Sequence, residues 1–170
     1  MAASAGVDTV QRRDALTLHW QWAHFEDLQV GDLYQMLAAR NEVFVMEQNC
    51  PFQDADGFDQ QAWHLLGWHS VESGTRRELA AYCRVIAPGI KYPEPSIGRV
   101  LTTGKHRRTG MGRVLMAEAI QRCRDLFPGQ PIRIGAQQRL EKFYREFGFQ
   151  TTSETYIEDG IPHVEMLLKP

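Results

Sequence analysis

The sequence predicts one α/β domain built on a mixed β-sheet, and three observations lead to this fold class. The chain has 170 residues, of which 43% are hydrophobic, so it has enough apolar material for one full core. Its early strand-like segments follow each other as in antiparallel hairpins, whereas the later ones alternate with helical patterns as in β-to-helix units. No internal repeat or domain boundary interrupts this order.

The N-terminal half predicts a strand, a helix, a loop and a hairpin. The loop has Pro51, Gly57 and three aspartates, and the helix has Leu33, Leu37 and Phe44 near one face. The hairpin strands carry apolar residues on both faces, as expected for strands that are covered on each side. In chain order the elements are a strand at 16–25, a helix at 30–44, a loop at 50–59 and strands at 63–71 and 79–87 joined by a turn at 72–75.

The C-terminal half predicts two strand-to-helix units and a final strand pair. A Pro- and Gly-rich connection precedes the first unit, and Pro128-Gly129 ends its helix. Four apolar residues at helical spacing then predict a short helix that Gly148 stops: Leu140, Phe143, Tyr144 and Phe147. The predicted elements are a strand at 97–102, a helix at 113–127, a strand at 131–136 and an antiparallel pair at 149–157 and 163–168.

Composition and charge restrict the classes of function. The net charge is −2, and the 19 basic residues are scattered except for Lys105 to Arg108 with Arg113, which favours one polyphosphate ligand over nucleic acid. No segment has the roughly 18 consecutive apolar residues of a membrane span. Residues 1–14 lack a signal-peptide core and are expected to be a flexible tail before a domain at 15–170. The three separated cysteines indicate reduced thiols in a cytoplasmic protein, and no ligand spacing indicates a metal.

The segment Arg107-Arg108-Thr109-Gly110-Met111-Gly112 predicts where a phosphate binds. It follows a short apolar strand and opens into a helix, so several backbone N–H groups at the helix start lack intrahelical acceptors. Together with the helix dipole these donors form an anion site, which the two glycines allow a phosphate to approach closely. Arg113 and the arginines of the loop add positive charge.

Three other interpretations of this segment differ in their sequence requirements. A P-loop needs Gly-Lys followed by Ser or Thr, but Arg113 follows Gly112. A dinucleotide-binding fingerprint needs three glycines near the first strand, and here two lie past the midpoint of the chain. An ordinary strand-to-helix turn, with glycines for tight packing, stays open.

The pattern Arg-x-x-Gly-x-Gly between a strand and a helix resembles the acyl-CoA loop of the GCN5-related N-acetyltransferase (GNAT) superfamily. A second signature of that superfamily is similar to Phe143 to Phe149, with Tyr144 followed by Gly148 and Phe149. Residues 40–48, 64–68 and 158–163 resemble its ElaA-type branch, and the resemblance runs from about residue 33 to 166. It implies a GNAT-like domain whose mostly antiparallel sheet, flanked by helices, is splayed at the acyl-CoA loop.

The resemblance also implies roles for individual residues. Tyr144 would be the general acid that protonates the leaving thiolate, although it equally fits a packing role in the apolar stripe. Gln137 stands where many members carry Asn, and Gly104 where many carry Pro; both departures concern geometry. The implied acetyl-CoA contacts are Val100, Leu101 and Thr102 along the pantetheine arm, the loop Arg107, Arg108, Thr109, Gly110, Met111, Gly112 and Arg113, and Gln137 with Tyr144.

The acceptor is expected to be an amine, either a small molecule or a peptide. Its pocket segments hold Glu47, Asp54, Asp56, Asp59, Glu158 and Asp159 without Lys or Arg, so we expect a cationic acceptor. A competing interpretation is that these carboxylates are solvated loop charges. No base is assigned among Glu47, Asp56, Asp59, His64, His69, Glu158 and His163, and a water chain remains an alternative; His64, in an apolar strand, fits a hydrogen-bonded core position.

Three functions remain open on the sequence. The first is direct acetyl transfer from acetyl-CoA to an amine in a ternary complex. The second is a non-catalytic module that binds or senses acyl-CoA. The third, from a similarity of Glu42 to Gln48 to acyl-homoserine lactone synthases, is acylation of S-adenosylmethionine. A homodimer is also left open.

Overall fold

The computed structural model describes residues 18–70 and 77–170. The predicted tail at 1–14 and the predicted turn at 72–75 lie outside these residues. The strands are β1 (Leu18–His24), β2 (Ala62–Ser70), β3 (Arg77–Ile86), β4 (Ser96–Thr102), β5 (Ile132–Gln137), β6 (Gln150–Thr151), β7 (Tyr156–Glu158) and β8 (Ile161–Leu168). The α-helices are α1 (Val30–Arg40), α2 (Met111–Leu126) and α3 (Glu141–Arg145), and a 3₁₀ turn, Gln138–Leu140, leads into α3.

The strands form one mixed sheet in the order β1-β2-β3-β4-β5-β8-β6, and β7 also pairs with β8. Among the described strands only β4 and β5 pair in parallel; the other pairings are antiparallel. The prediction of one α/β domain with a mixed, mostly antiparallel sheet is therefore confirmed.

Helices cover both faces of this sheet. On one face Leu115 and Met116 of α2 pack with Ile132 and Ile134 of β5 in the larger core. On the other face Met36 of α1 packs with aromatic and aliphatic side chains of β2 to β4. Burial of β2 and β3 on both faces follows from this arrangement, as their apolar sequences predicted.

Two predictions about elements were wrong. Leu37, expected on the buried face of α1, is 37% exposed, because the buried face centres on Met36 and Arg40. The single strand predicted at 149–157 is two short strands, β6 and β7, which pair with opposite ends of β8. Within the described chain no helix has the length and apolar character needed to cross a membrane.

The end of α1 changes its hydrogen-bond pattern and becomes a π-helical turn, Asn41–Met46. The backbone N–H of Glu47 donates to the carbonyl of Glu42, and that of Cys50 to Val45, both five residues back. The extra residue per turn widens the helix and carries the chain from the sheet face towards the gap between β4 and β5. Sequence periodicity predicted an ordinary helix to Phe44, because one wide turn leaves the apolar spacing almost unchanged.

Candidate active site

A gap in the centre of the sheet organises the site. Strands β4 and β5 share a single residue pair, Ser96 with Arg133, and then diverge. The divergence coincides with a β-bulge, in which Arg99 and Val100 of β4 lie opposite one residue of β3 and Arg99 has a φ of 51°. The backbone edge of β4 that faces β5 therefore has no strand partner over the rest of its length within the described residues.

The gap opens into a cavity of about 860 Å³. That volume lies within the range of ordinary small-molecule pockets. One end is bounded by β4 and α3, and the other by the segment after α1 and the β7–β8 turn. Six of the residues predicted to contact the cofactor line it: Val100, Leu101, Thr102, Arg107, Gln137 and Tyr144.

The other predicted cofactor residues, Arg108 to Arg113, lie outside this lining, on the β4–α2 loop and the first turn of α2. Gly110 is the N-cap residue with a φ of 85°, and no side chain caps the helix. In the described chain, the backbone N–H groups of residues 108–112 have no hydrogen-bond acceptor. Unpaired N–H groups at a helix N-terminus are the kind of donors that bind anions, and phosphate binding by this loop stays a prediction.

The two glycines of the loop differ in what surrounds them. A Cβ on Gly110 would meet no atom within 4 Å, so it would project into open space where an anion can lie. A Cβ on Gly112 would lie 3.8 Å from the Phe143 ring, an ordinary packing distance. Met111 is 5% exposed and packs in the core, so that only its backbone N–H is available to a ligand.

Two of the arginines around the loop, Arg107 and Arg113, are paired with carboxylates. Arg107 donates to the carbonyl of Thr102 over 3.1 Å, and its guanidinium lies 2.6 Å from the carboxylate of Glu47. Arg113 pairs with Glu146 at the end of α3. An anion that recruits Arg107 must therefore compete with Glu47, whereas the N–H groups of the loop are available without such competition.

Tyr144 on α3 reaches the cavity from the α2 face of the sheet. Its side chain is 7% exposed, packs against Phe143 and Phe149, and lines the cavity. Arg84 Nε is the one fully buried side-chain polar atom without a partner among the described residues. The Tyr144 hydroxyl has no hydrogen-bond partner among the described residues either, but it is not one of the fully buried atoms. The hydroxyl is therefore accessible from the cavity that Tyr144 lines. Burial raises the pKa of Tyr144 to about 12, so the hydroxyl is a protonated donor at neutral pH.

Gln137 at the end of β5 is held by two side chains. Its amide nitrogen donates to Gln48 over 3.0 Å, and its amide oxygen accepts from Arg139 over 3.0 Å. Because Glu47 holds Arg107 and Gln48 holds Gln137, two consecutive residues tie the segment after α1 to both sides of the gap. The sequence interpretation gave Gln48 no role, although this residue lies at the end of the branch signature at 40–48.

The aspartates of the 50–59 loop are not available to attract a cation. Asp54, Asp56 and Asp59 form a neutral network with three arginines from α1, β3 and β4, at distances of 2.6–3.1 Å: Arg40, Arg84 and Arg99. Burial alone raises the pKa of Asp59, but hydrogen bonds and charge from Arg40 and Arg84 outweigh it and lower the pKa below its usual range.

The acidic acceptor pocket predicted from the sequence is therefore wrong, and so is the alternative of solvated loop charges. Arginines distant in sequence neutralise the loop, and Glu47 is paired with Arg107. The cavity is also lined by Arg107, which was predicted as a cofactor contact, and by basic side chains that the prediction did not consider: Arg84, Lys91, Arg99 and Arg139. Only Glu158 and Asp159 remain of the predicted acidic set without an ion pair among the described residues.

The seven candidate bases separate clearly in the structure. His64 is fully buried with both ring nitrogens bonded, to the Tyr82 hydroxyl and the Asp59 carbonyl, and burial lowers its pKa to about 4. This confirms its core position. His69 lies outside the cavity lining and Asp59 is paired, whereas Glu158 and His163 line the cavity. Among the described residues, no group of three or more His, Cys, Asp and Glu side chains is arranged to hold a metal.

Comparisons with known proteins match this architecture. A family model described as an acetyltransferase (GNAT) domain matches residues 76–170. Protein ElaA of Escherichia coli (strain K12) is 40% identical over 151 residues, which is 88% of this chain and 95% of that protein. The crystal structure of Escherichia coli ElaA has a TM-score of 0.81, with 38% identity over 90% of this chain and 100% of that chain. The crystal structure of an acyl-CoA N-acyltransferase from Pseudomonas aeruginosa has a TM-score of 0.82, with 36% identity over 89% and 99% of the two chains.

Proposed function

Because the chain belongs to the GNAT acetyltransferase family, we propose that it transfers an acetyl group from acetyl-CoA to an amine acceptor in a ternary complex. The observation that carries this proposal is the position of the Tyr144 hydroxyl, which faces a cavity between the two diverging strands and has no partner among the described residues. The reaction uses acetyl-CoA as co-substrate and no metal.

The proposed cofactor path follows the backbone donors. The pyrophosphate of CoA lies at the N–H groups of residues 108–112, where the helix dipole and the open space at Gly110 favour an anion. The pantetheine arm enters the gap beside Val100 to Thr102 and replaces the missing strand partner of β4 with its own amides. This path brings the thioester into the cavity that Tyr144 and Gln137 line.

In the proposed reaction, the amine nitrogen attacks the thioester carbonyl and the C–S bond then breaks with both electrons going to sulfur. Tyr144 donates a hydrogen bond to that sulfur. Its pKa of about 12 is roughly three units above that of an ordinary thiol, so complete proton transfer to a thiolate is uphill. A hydrogen bond that strengthens as charge develops on sulfur still lowers the barrier.

The experiment that tests this function measures CoA release from acetyl-CoA with a panel of primary amines, peptides and anionic or uncharged acceptors. Calorimetry on the same protein measures CoA binding. Binding together with amine-dependent release supports the enzyme. Binding without release from any acceptor supports the non-catalytic acyl-CoA module, and absence of binding contradicts both. We also propose a cytoplasmic location, because all three cysteines are unpaired thiols, as is usual for proteins of a reducing compartment.

A further inference from the structure

We propose that His163 is the general base of this site, with its Nε2 atom accepting a proton from the attacking amine. This inference rests on the proposed function. It comes from the geometry of one imidazole ring whose two nitrogens have different surroundings. The ring lies at the end of the cavity that the β7–β8 turn bounds, away from the proposed pyrophosphate site, and we take this as the acceptor end.

The hydrogen bond at Nδ1 fixes the tautomer of His163. Nδ1 lies 2.8 Å from the backbone carbonyl oxygen of Ile161, and a carbonyl oxygen can only accept. In the neutral ring the proton therefore sits on Nδ1, and Nε2 carries an unprotonated lone pair. Within the described residues Nε2 has no partner, and it is not among the fully buried unpaired atoms, so it remains accessible. A ring that is oriented through one nitrogen and open at the other suits proton abstraction.

The sheet directs this ring to the acceptor side of the gap. Along β8 the buried side chains Val164 and Met166 pack in the larger core under α2, so the alternating residues His163 and Glu165 point to the opposite face. His163 is also the register partner of Gln137 on β5, at the edge of the gap. Tyr144 comes from the α2 face, so the proposed hydrogen-bond donor to sulfur and the proposed base reach the same cavity from opposite faces of the sheet.

Contacts on β7 hold the ring in place. The Tyr156 ring stacks on His163 with a centroid distance of 6.0 Å and an interplanar angle of 29°. Burial raises the pKa of Tyr156 to about 12, so this neighbour stays neutral. The titratable and charged groups around His163, on its own strand and on the elements that share its end of the cavity, are Lys91, Tyr92, Arg139, Tyr156, Glu158, Asp159 and Glu165.

The competing bases are less suited to this task. Glu47, Asp56 and Asp59 are each paired with an arginine, and His64 has both ring nitrogens bonded. Glu158 also lines the cavity, but its side chain is exposed at the end of β7 and no hydrogen bond within the described residues orients it. The His163 ring, in contrast, is oriented by its hydrogen bond to the Ile161 carbonyl.

The proton balance of the step is simple. Nε2 takes one proton from the amine as the nitrogen lone pair forms the C–N bond to the acetyl carbon. The C–S bond breaks, and its electron pair leaves on the sulfur of CoA. The imidazolium then gives its proton to the sulfur or to solvent, so that the products are the amide and CoA and the enzyme returns to its starting state.

The test measures kcat/KM against pH for wild type and four variants: His163→Gln, Glu158→Gln, Tyr144→Phe and His19→Gln. His19 is an exposed histidine on β1 outside the cavity lining, so its variant is the matched control. Two acceptors are compared, a strongly basic primary amine and methoxyamine, which is already unprotonated at neutral pH. CoA affinity of each variant is measured by calorimetry, and added imidazole tests chemical rescue.

We expect His163→Gln to lower kcat/KM about a hundredfold or more with the basic amine. With methoxyamine, whose own ionisation does not contribute near neutral pH, the variant should lose the acidic limb of the pH profile. The loss of kcat/KM should be smaller with methoxyamine, should be reversed in part by imidazole, and should leave CoA affinity unchanged. With methoxyamine, an acidic limb that persists in His163→Gln, or that disappears in Glu158→Gln instead, overturns the assignment while amine acetylation stands. Absence of CoA release by wild type with any amine overturns the proposed function and this inference together.

Discussion

The proposed anion site at the start of α2 can be tested by adding a single methyl group at Gly110. Gly110→Ala places a Cβ where the protein has no atom within 4 Å, in the space that the proposed pyrophosphate occupies. Gly110 has a φ of 85°, so alanine there also strains the backbone, by about 1–2 kcal/mol. Gly129, just after α2, has a φ of 73° and equally open space, and it lies outside the cavity lining. Gly129→Ala therefore carries the same strain without touching the site.

The two variants should differ in ligand binding alone. A hydrogen bond to a charged group contributes about 1.5–3 kcal/mol, so displacing the phosphate from one backbone N–H should weaken CoA binding at least about tenfold. At a CoA concentration of 100 times the wild-type dissociation constant, the ligand stabilises wild type by about 2.7 kcal/mol. A tenfold weaker complex gains about 1.4 kcal/mol at the same concentration.

Denaturant unfolding with and without CoA measures these gains directly. Both variants should unfold more easily than wild type without ligand, by similar amounts. With CoA, Gly129→Ala should recover the full wild-type gain and Gly110→Ala about half of it or less. If the two variants gain equally from CoA, the pyrophosphate does not lie at this helix start, and the loop glycines serve only the turn.

Three further outcomes are expected. Tyr144→Phe keeps the ring and its packing, so turnover should fall at least tenfold in the CoA-release assay while CoA affinity changes less; full turnover would leave Tyr144 as a packing residue. Glu47→Gln frees Arg107 from an exposed ion pair, so the affinity for CoA measured by calorimetry should rise up to about fivefold. Glu118→Gln removes a similar ion pair on α2 and should leave that affinity unchanged. Equal effects of the two substitutions would contradict the competition between Glu47 and the anion. Burial lowers the pKa of His64 to about 4, below the unfolded value of about 6.5, so protons favour the unfolded chain between these values. The free energy of unfolding should fall by about 2 kcal/mol from pH 7 to pH 5, and His64→Gln should flatten that slope; an unchanged slope in the variant would assign the pH dependence elsewhere.

Local patterns were the part of this molecule that could be predicted. The strand, glycine turn and helix around Gly110 depend on neighbouring residues, and the structure has them at the predicted positions. The apolar spacing from Leu140 to Phe147 likewise predicted the short helix that carries Tyr144. Both signals act over a few residues, where backbone conformation and periodicity dominate.

Contacts across long separations could not be predicted. Asp54 and Arg99 are 45 residues apart in sequence, and Gln48 and Gln137 are 89 apart. Sequence periodicity does not indicate such pairs, so the acidic loop predicted a negative charge that arginines from distant elements neutralise in the structure. The tautomer of His163 depends on a single carbonyl at the start of its strand, which only coordinates can place.

Because β4 and β5 share a single residue pair, the sheet consists of two parts with few backbone hydrogen bonds between them. One part contains β1 to β4 and the other β5 to β8. Side chains of α2 pack against both parts in the larger core. A ligand that binds between these two parts of the sheet contacts both of them, and its binding free energy adds to the free energy of unfolding. Under the proposed function, CoA bound between β4 and β5 should therefore offset part of the stability that a substitution in this region removes.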